Sequence, residues 1–249
     1  MRETFCFAVA PFVPADEPAV NLARAREYVA EAADQGADVV CFSEMFLGLT
    51  PLKPLPNAFV EGLCEAAASH AINVITGTIR APTDVPRKAH LWNVVINRQG
   101  EIVGMQAKRI MYPGERAWFV PAGPTRLFEL DFGPVVVLAG LDAFDASNAA
   151  WAASVRPSLL VLQTGASTDD GLALQAALCN VRAFEMGATV VTPGRLGTVM
   201  SFNFLGGGTA YAPPVNGEKA PRCLFTLGIE EGVFVATAPT REPAAASAP

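Results

Sequence analysis

The sequence predicts an α/β fold built from layered sheets and helices. Three observations lead there. Val135-Val136-Val137-Leu138-Ala139-Gly140-Leu141-Asp142 is a β-branched, apolar run that stops abruptly at Gly-Leu-Asp. A strand buried on both faces reads this way before it turns into a helix. Residues 4–79 alternate short apolar runs with amphipathic stretches, a βαβαβ rhythm. Two of the amphipathic stretches end on glycine, at Gly36 and Gly187, the residue that closes helices at least steric cost.

In chain order, Thr4 to Ala10 reads as a strand. Residues 19–35 read as a helix with Leu22, Ala25, Val29 and Ala32 on one stripe. An apolar strand over 38–43 ends at Glu44. A second helix over 57–71 has Asn57 as N-cap and Phe59, Leu63, Cys64 and Ala67 apolar. A strand is expected over 74–79. Residues 91–97 and 102–107 flank Arg98-Gln99-Gly100, a hairpin signal. Residues 112–124, rich in Gly and Pro, are expected to be extended. After the strand at 135 comes a short helix over 145–156, with Asp145 or Ser147 as cap, and a strand over 158–163. The longest helix spans about 168–186, with Leu174, Leu178 and Val181 expected inward. Short strands follow at Thr189–Thr192, Thr209–Ala212, 222–227 and 233–237.

Of the 249 residues, 51% are hydrophobic and 17% charged, enough for one large core. The reading is one domain over 1–238 and an Ala/Pro-rich tail over 239–249, expected to be disordered. Eighteen basic against 24 acidic residues give a net charge of −6, which argues against nucleic acid or an anionic membrane as partner. There is no apolar run long enough to span a bilayer and no signal-peptide pattern after Met1-Arg2-Glu3-Thr4, so a cytoplasmic location is expected. Cys6, Cys41, Cys64, Cys179 and Cys223 form no CxxC pair, and the two histidines are far apart. No disulfide framework, metal or cofactor is expected.

Ligands in open α/β sheets collect beyond the carboxyl ends of strands. Glu44 ends a strand and is either a surface cap or a site residue. Lys108 also follows a strand, although Lys108-Arg109 alone reads as a solvated basic pair. Glu115 stands in Pro113-Gly114-Glu115, which alone is an ordinary turn. Arg182 and Glu185 share a helix face and read alone as a surface ion pair. Gly140 stands at the strand-to-helix elbow, where a catalytic side chain would be presented.

Taken in order, these stretches change the reading. Phe42-Ser43-Glu44, Leu91-Trp92-Asn93, Asn97-Arg98-Gln99-Gly100-Glu101, Lys108 through Pro113-Gly114-Glu115, Leu141-Asp142 and Arg182-Ala183-Phe184-Glu185 follow one another at fitting separations. Gly206-Gly207-Gly208-Thr209 adds a glycine-rich lead into a late strand. Over nearly its whole length the chain resembles the nitrilase (carbon–nitrogen hydrolase) superfamily. The resemblance implies a four-layer α-β-β-α sandwich and a Glu-Lys-Cys triad that works through a thioester. In that pattern Glu44 is the general base, Lys108 stabilises the oxyanion, Glu115 positions substrate and lysine, and the nucleophile position falls on Gly140. It further implies a homodimer paired through the helices at 145–156 and 168–186, and loops at 47–57 and 193–205 that shape the ligand pocket.

Glycine has no attacking atom, so covalent catalysis cannot run through it. The five cysteines read instead as small buried hydrophobes, and Cys41 lies on the opposite strand face from Glu44. Ser147 and Thr164 do not sit at the elbow. The expectation is therefore a non-catalytic relative that binds a small amide-, nitrile- or carboxylate-like molecule. The alternatives are an amidase-like enzyme in which Glu44 activates water, or a deliberately inactivated variant of an active enzyme.

Overall fold

Residues 3–199, 201–215 and 217–240 are described by the structure, a computed structural model. The chain opens with β1 (Thr4–Ala10), α1 (Pro18–Asp34), β2 (Val39–Phe42), α2 (Ala58–His70) and β3 (Asn73–Ile75). Strands β4 (Ile79–Pro82), β5 (Ala89–Ile96) and β6 (Ile102–Ala107) follow. The second half begins with β7 (Leu127–Leu130), β8 (Gly133–Ala139), α3 (Ala146–Val155), β9 (Leu159–Gln163) and α4 (Asp169–Met186). It continues through β10 (Thr189–Thr192), β11 (Arg195–Val199), β12 (Phe202–Gly206), β13 (Thr209–Ala212), β14 (Arg222–Thr226) and β15 (Phe234–Pro239).

Two mixed sheets result. One runs β15-β1-β2-β3-β5-β4 with β6 also paired to β5; the other runs β14-β13-β10-β9-β8-β7. The period-two alternation of side chains fixes how they stack. From β1, Phe5, Phe7 and Val9 face Val135, Val137, Leu159 and Val161 of the second sheet in one apolar layer. Ala8 and Ala10 point the other way, onto Ala25, Val29, Val60 and Leu63 of α1 and α2. Val136 and Leu138 likewise face Ala149, Ala152, Cys179 and Ala183 of α3 and α4. Helix, sheet, sheet and helix thus form four layers held by three apolar interfaces. Among the described residues no helix is long and apolar enough to cross a membrane.

The helix ends follow the local chemistry. The Asn57 side chain accepts from the N–H groups of Phe59 and Val60, Asp145 from Asn148 N–H, and Thr168 from Gly171 N–H. Each satisfies a donor that the first turn leaves unpaired.

Several expectations are corrected. The strand expected over 74–79 breaks at Thr76-Gly77-Thr78. A Cβ on Gly77 would lie 1.7 Å from the carbonyl oxygen of Ser43, so the backbone passes tightly under the end of β2 and leaves the sheet. Residues 112–124 are not simply extended: Pro113–Ala117 is a 3-10 turn. A second 3-10 turn, Gly140–Ala143, separates β8 from α3. Strand β7 was not anticipated. Leu174 and Val181 do not point inward; they are 55% and 50% exposed, and α4 buries Gln175, Cys179, Ala183 and Met186 instead. In that stripe Gln175 donates to Gly207 O at 2.6 Å and accepts from the Thr164 hydroxyl at 2.9 Å. Of the five cysteines expected to be buried, Cys41 and Cys179 are, Cys6 and Cys64 are half-buried, and Cys223 is exposed. Residues 193–205 hold the β11–β12 hairpin rather than a loop. Of the tail expected over 239–249, Pro239 pairs with Thr4 in the sheet, and 241–249 lie outside the described residues.

Candidate active site

Four strands deliver the site from their carboxyl ends. Glu44 follows β2, Lys108 follows β6, Gly140 follows β8 and Arg195 opens β11, separated from β10 by Pro193 and Gly194. The Ser43 hydroxyl donates to the carbonyl of Gly194, which ties the β2 end to the segment that presents Arg195. The carboxylate of Asp142 accepts from the backbone N–H groups of Arg109 at 2.9 Å and Ile110 at 2.8 Å. It thereby fastens the chain just after Lys108 to the turn just after Gly140. Burial pushes Asp142 up to about 6, against the pull of those two N–H donors.

The charged groups form one chain of contacts. Lys108 Nζ donates to Glu44 Oε1 at 2.8 Å and to Glu115 Oε1 at 2.7 Å. Arg195 Nη1 donates to Glu44 Oε2 at 3.3 Å. The other oxygen of Glu115 accepts from Tyr112 N–H at 2.9 Å, so the turn that carries Glu115 is closed by the same carboxylate. Lys108 has no exposed surface, Glu44 is 4% exposed and Arg195 6%. Burial pushes the Glu44 carboxyl up, but Lys108 and Arg195 together outweigh it and hold the group below its ordinary value. Burial pulls the Lys108 ammonium down, and Glu44 and Glu115 outweigh that, holding it above the usual lysine range. Glu44 and Lys108 are therefore both ionised near neutrality, and burial pulls the Arg195 guanidinium down against the raising effect of Glu44 and Glu115. Lys108 also lies 5.2 Å from the ring centroid of Tyr112, and Arg195 lies 4.1 Å from that of Phe204, which gives each cation an aromatic face.

Gly140 is buried, with φ +55°. A Cβ built on it would lie 2.5 Å from Lys108 Nζ and 2.6 Å from Lys108 Cε. The lysine tip thus occupies the volume where a side chain at 140 would begin.

Of the residues singled out in the sequence, Glu44, Lys108 and Glu115 are in contact and Gly140 lies against Lys108. Arg182 and Glu185 form an ion pair of 2.7 Å on α4, with Arg182 mostly buried and Glu185 half-exposed. Arg195, Asp142 and Tyr112 were missed. Arg195 follows a buried strand end as Glu44 and Lys108 do, and the same rule would have found it had β10 been carried through Pro193-Gly194.

The model of the carbon–nitrogen hydrolases matches residues 9–213. The chain belongs to the carbon–nitrogen hydrolase family. Solved members of this family share its architecture. An amidase from Nesterenkonia sp. superposes with TM-score 0.80 at 22% identity, over 96% of this chain and 92% of that one. Saccharomyces cerevisiae Nit3, from branch 10 of the nitrilase superfamily, superposes with TM-score 0.84 at 16% identity, over 95% and 90%. Variants of the Nesterenkonia amidase have been solved with acrylamide and butyramide, and with the acetamide moiety of fluoroacetamide added covalently to its active-site cysteine. At such identities the likeness is one of fold. No curated protein sequence matches the chain.

Proposed function

We propose that this carbon–nitrogen hydrolase relative is a non-catalytic binding protein whose nucleophile position is Gly140. Its ligand is a small amide-, nitrile- or carboxylate-like molecule held among Glu44, Lys108 and Glu115. The observation behind this reading is the volume beside Gly140. A nucleophile there would need a Cβ 2.5 Å from Lys108 Nζ, and Lys108 is pinned by two carboxylates at 2.7 and 2.8 Å. A side chain at 140 would require that lysine tip to shift away from its present place.

Hydrolysis by water that Glu44 activates is the competing reading, and the electrostatics oppose it. A general base works best with a pKa near the working pH. Glu44 is bonded to two cations, one on each oxygen, and lies below its ordinary value. It is a poor proton acceptor.

The same proposal includes a homodimer paired through α3 and α4. Leu174, Val181 and Phe184, the last 59% exposed, stand on one face of α4 and fit burial against a twofold mate. It also places the protein in the cytoplasm, where Cys6, Cys41, Cys64, Cys179 and Cys223, all free, stay reduced.

The test is covalent capture. Incubation with fluoroacetamide, then intact-mass and peptide mapping, is expected to give no adduct that depends on Glu44 and Lys108. An adduct abolished by both Glu44→Gln and Lys108→Ala would mean that another nucleophile serves the site.

A further inference from the structure

Arg195 is more deeply buried than a surface-facing guanidinium and less fully bonded than a structural one. Five N–H donors radiate from the guanidinium plane. Among the described residues its polar partners are Glu44 Oε2 at 3.3 Å and the Met45 thioether at 3.4 Å, with Phe204 against one face. One contact to oxygen is long and the other partner is a weak acceptor. The remaining donors have no oxygen partner, although the residue is only 6% exposed. Unlike Nε of Arg80, Arg98 and Arg182, no Arg195 nitrogen is both sealed from solvent and unpaired, so its remaining N–H groups reach solvent and stay open to a ligand.

The charge count points the same way. Glu44 and Glu115 against Lys108 alone would leave the cluster at −1, which repels an anion; Arg195 brings it to zero. The group that best satisfies a guanidinium edge is a two-oxygen, acceptor-only anion, bound as a fork. A neutral amide offers one acceptor and turns its NH₂ toward the cation.

We propose that Arg195 is the specificity residue of the site and anchors a small carboxylate, in preference to the isosteric amide, through its uncommitted N–H groups. This deepens the binding reading above and rests on it. Glu44 keeps Nη1, while Nη2 meets only the Met45 thioether, a weak acceptor, so the carboxylate takes the Nε–Nη2 edge in place of that contact.

Calorimetric titration of the full chain with propionate and with propionamide at neutral pH tests it. Propionate is expected to bind more tightly. Arg195→Leu is expected to weaken propionate by roughly tenfold or more, the loss of a charge-assisted fork, and propionamide by clearly less. Arg195→Lys should retain part of the affinity, since the charge stays and the fork is lost. Equal weakening of both ligands, or none, would overturn the proposal and leave Arg195 as a clamp on Glu44. Propionamide binding without propionate binding would overturn it while leaving the wider binding reading intact. Binding of neither would sink both, whereas amide turnover would sink only the non-catalytic reading. If Arg195→Leu does not fold, crystals of the unmodified protein soaked in propionate decide. The carboxylate is expected within hydrogen-bond distance of Arg195, and a carboxylate found away from it contradicts the assignment.

Discussion

At Gly140 the backbone is left-handed, φ +55°, and a lysine tip lies where the first side-chain atom would go. Gly140→Ala is therefore expected to cost about 1–2 kcal/mol from conformation alone, plus the displacement of Lys108, measured by chemical denaturation. Glu44 is the anion that joins Lys108 to Arg195. Removing one partner of a buried pair leaves the others uncompensated, so Glu44→Gln is expected to lose about 3–5 kcal/mol. The pH dependence has a definite sign. The Glu44 pKa in the folded state lies below 4.5, the ordinary value. Its stabilising contribution is thus fully present above 4.5 and fades as pH falls through the lower folded value. Melting temperatures of the unmodified protein and Glu44→Gln should differ most near neutrality and converge in acid. A gap that widens on acidification would contradict the ion-pair description. Glu44 stands out in the sequence because it ends an apolar strand, whereas Lys108 alone reads as part of a solvated basic pair and stands out only through the ordered set of motifs. Asp142 does not stand out: its role as a latch on two backbone N–H groups depends on a neighbouring segment 32 residues away.

Elements were legible where a local rule acts alone. Asn57 caps α2 because its side chain reaches two free N–H groups, and Asn57→Ala is expected to cost ~1 kcal/mol. The rule failed where packing chose against hydropathy. In α4 the more apolar face, with Leu174 and Val181, is outside, and the inner face holds Gln175. The β11–β12 hairpin falls in the stretch 193–205 expected to be a loop, though its register from Arg195↔Gly206 to Val199↔Phe202 is regular. Between the sheets, Gln163 Nε2 donates to Thr76 O at 2.6 Å and Phe42 O at 3.2 Å, and its Oε1 accepts from Asn93. Nothing in the sequence marks a lone Gln at a strand end as a tie between layers. Gln163→Leu would leave these buried groups unmatched and is expected to lose about 1–3 kcal/mol in urea unfolding.

For the whole molecule, the four layers follow from strand alternation that feeds three separate apolar interfaces, which is why periodicity alone predicted a layered fold. The outer apolar face of α4 is the surface proposed for pairing. Light scattering is expected to give twice 26.2 kDa, with Phe184→Asp shifting the population toward monomer; a mass near 26.2 kDa for the unmodified protein at micromolar concentration would count against pairing. The proposal that Gly140 leaves the site without a nucleophile can be tested directly. Loss of a nucleophile removes roughly 10⁶-fold of activity in a well-studied hydrolase. The direct measurement is ammonia release from short aliphatic amides by the unmodified protein, followed beside Glu44→Gln and Lys108→Ala. Release indistinguishable from buffer in all three is expected; turnover by the unmodified protein that disappears in both variants would contradict the claim and make Glu44 the base of a working hydrolase.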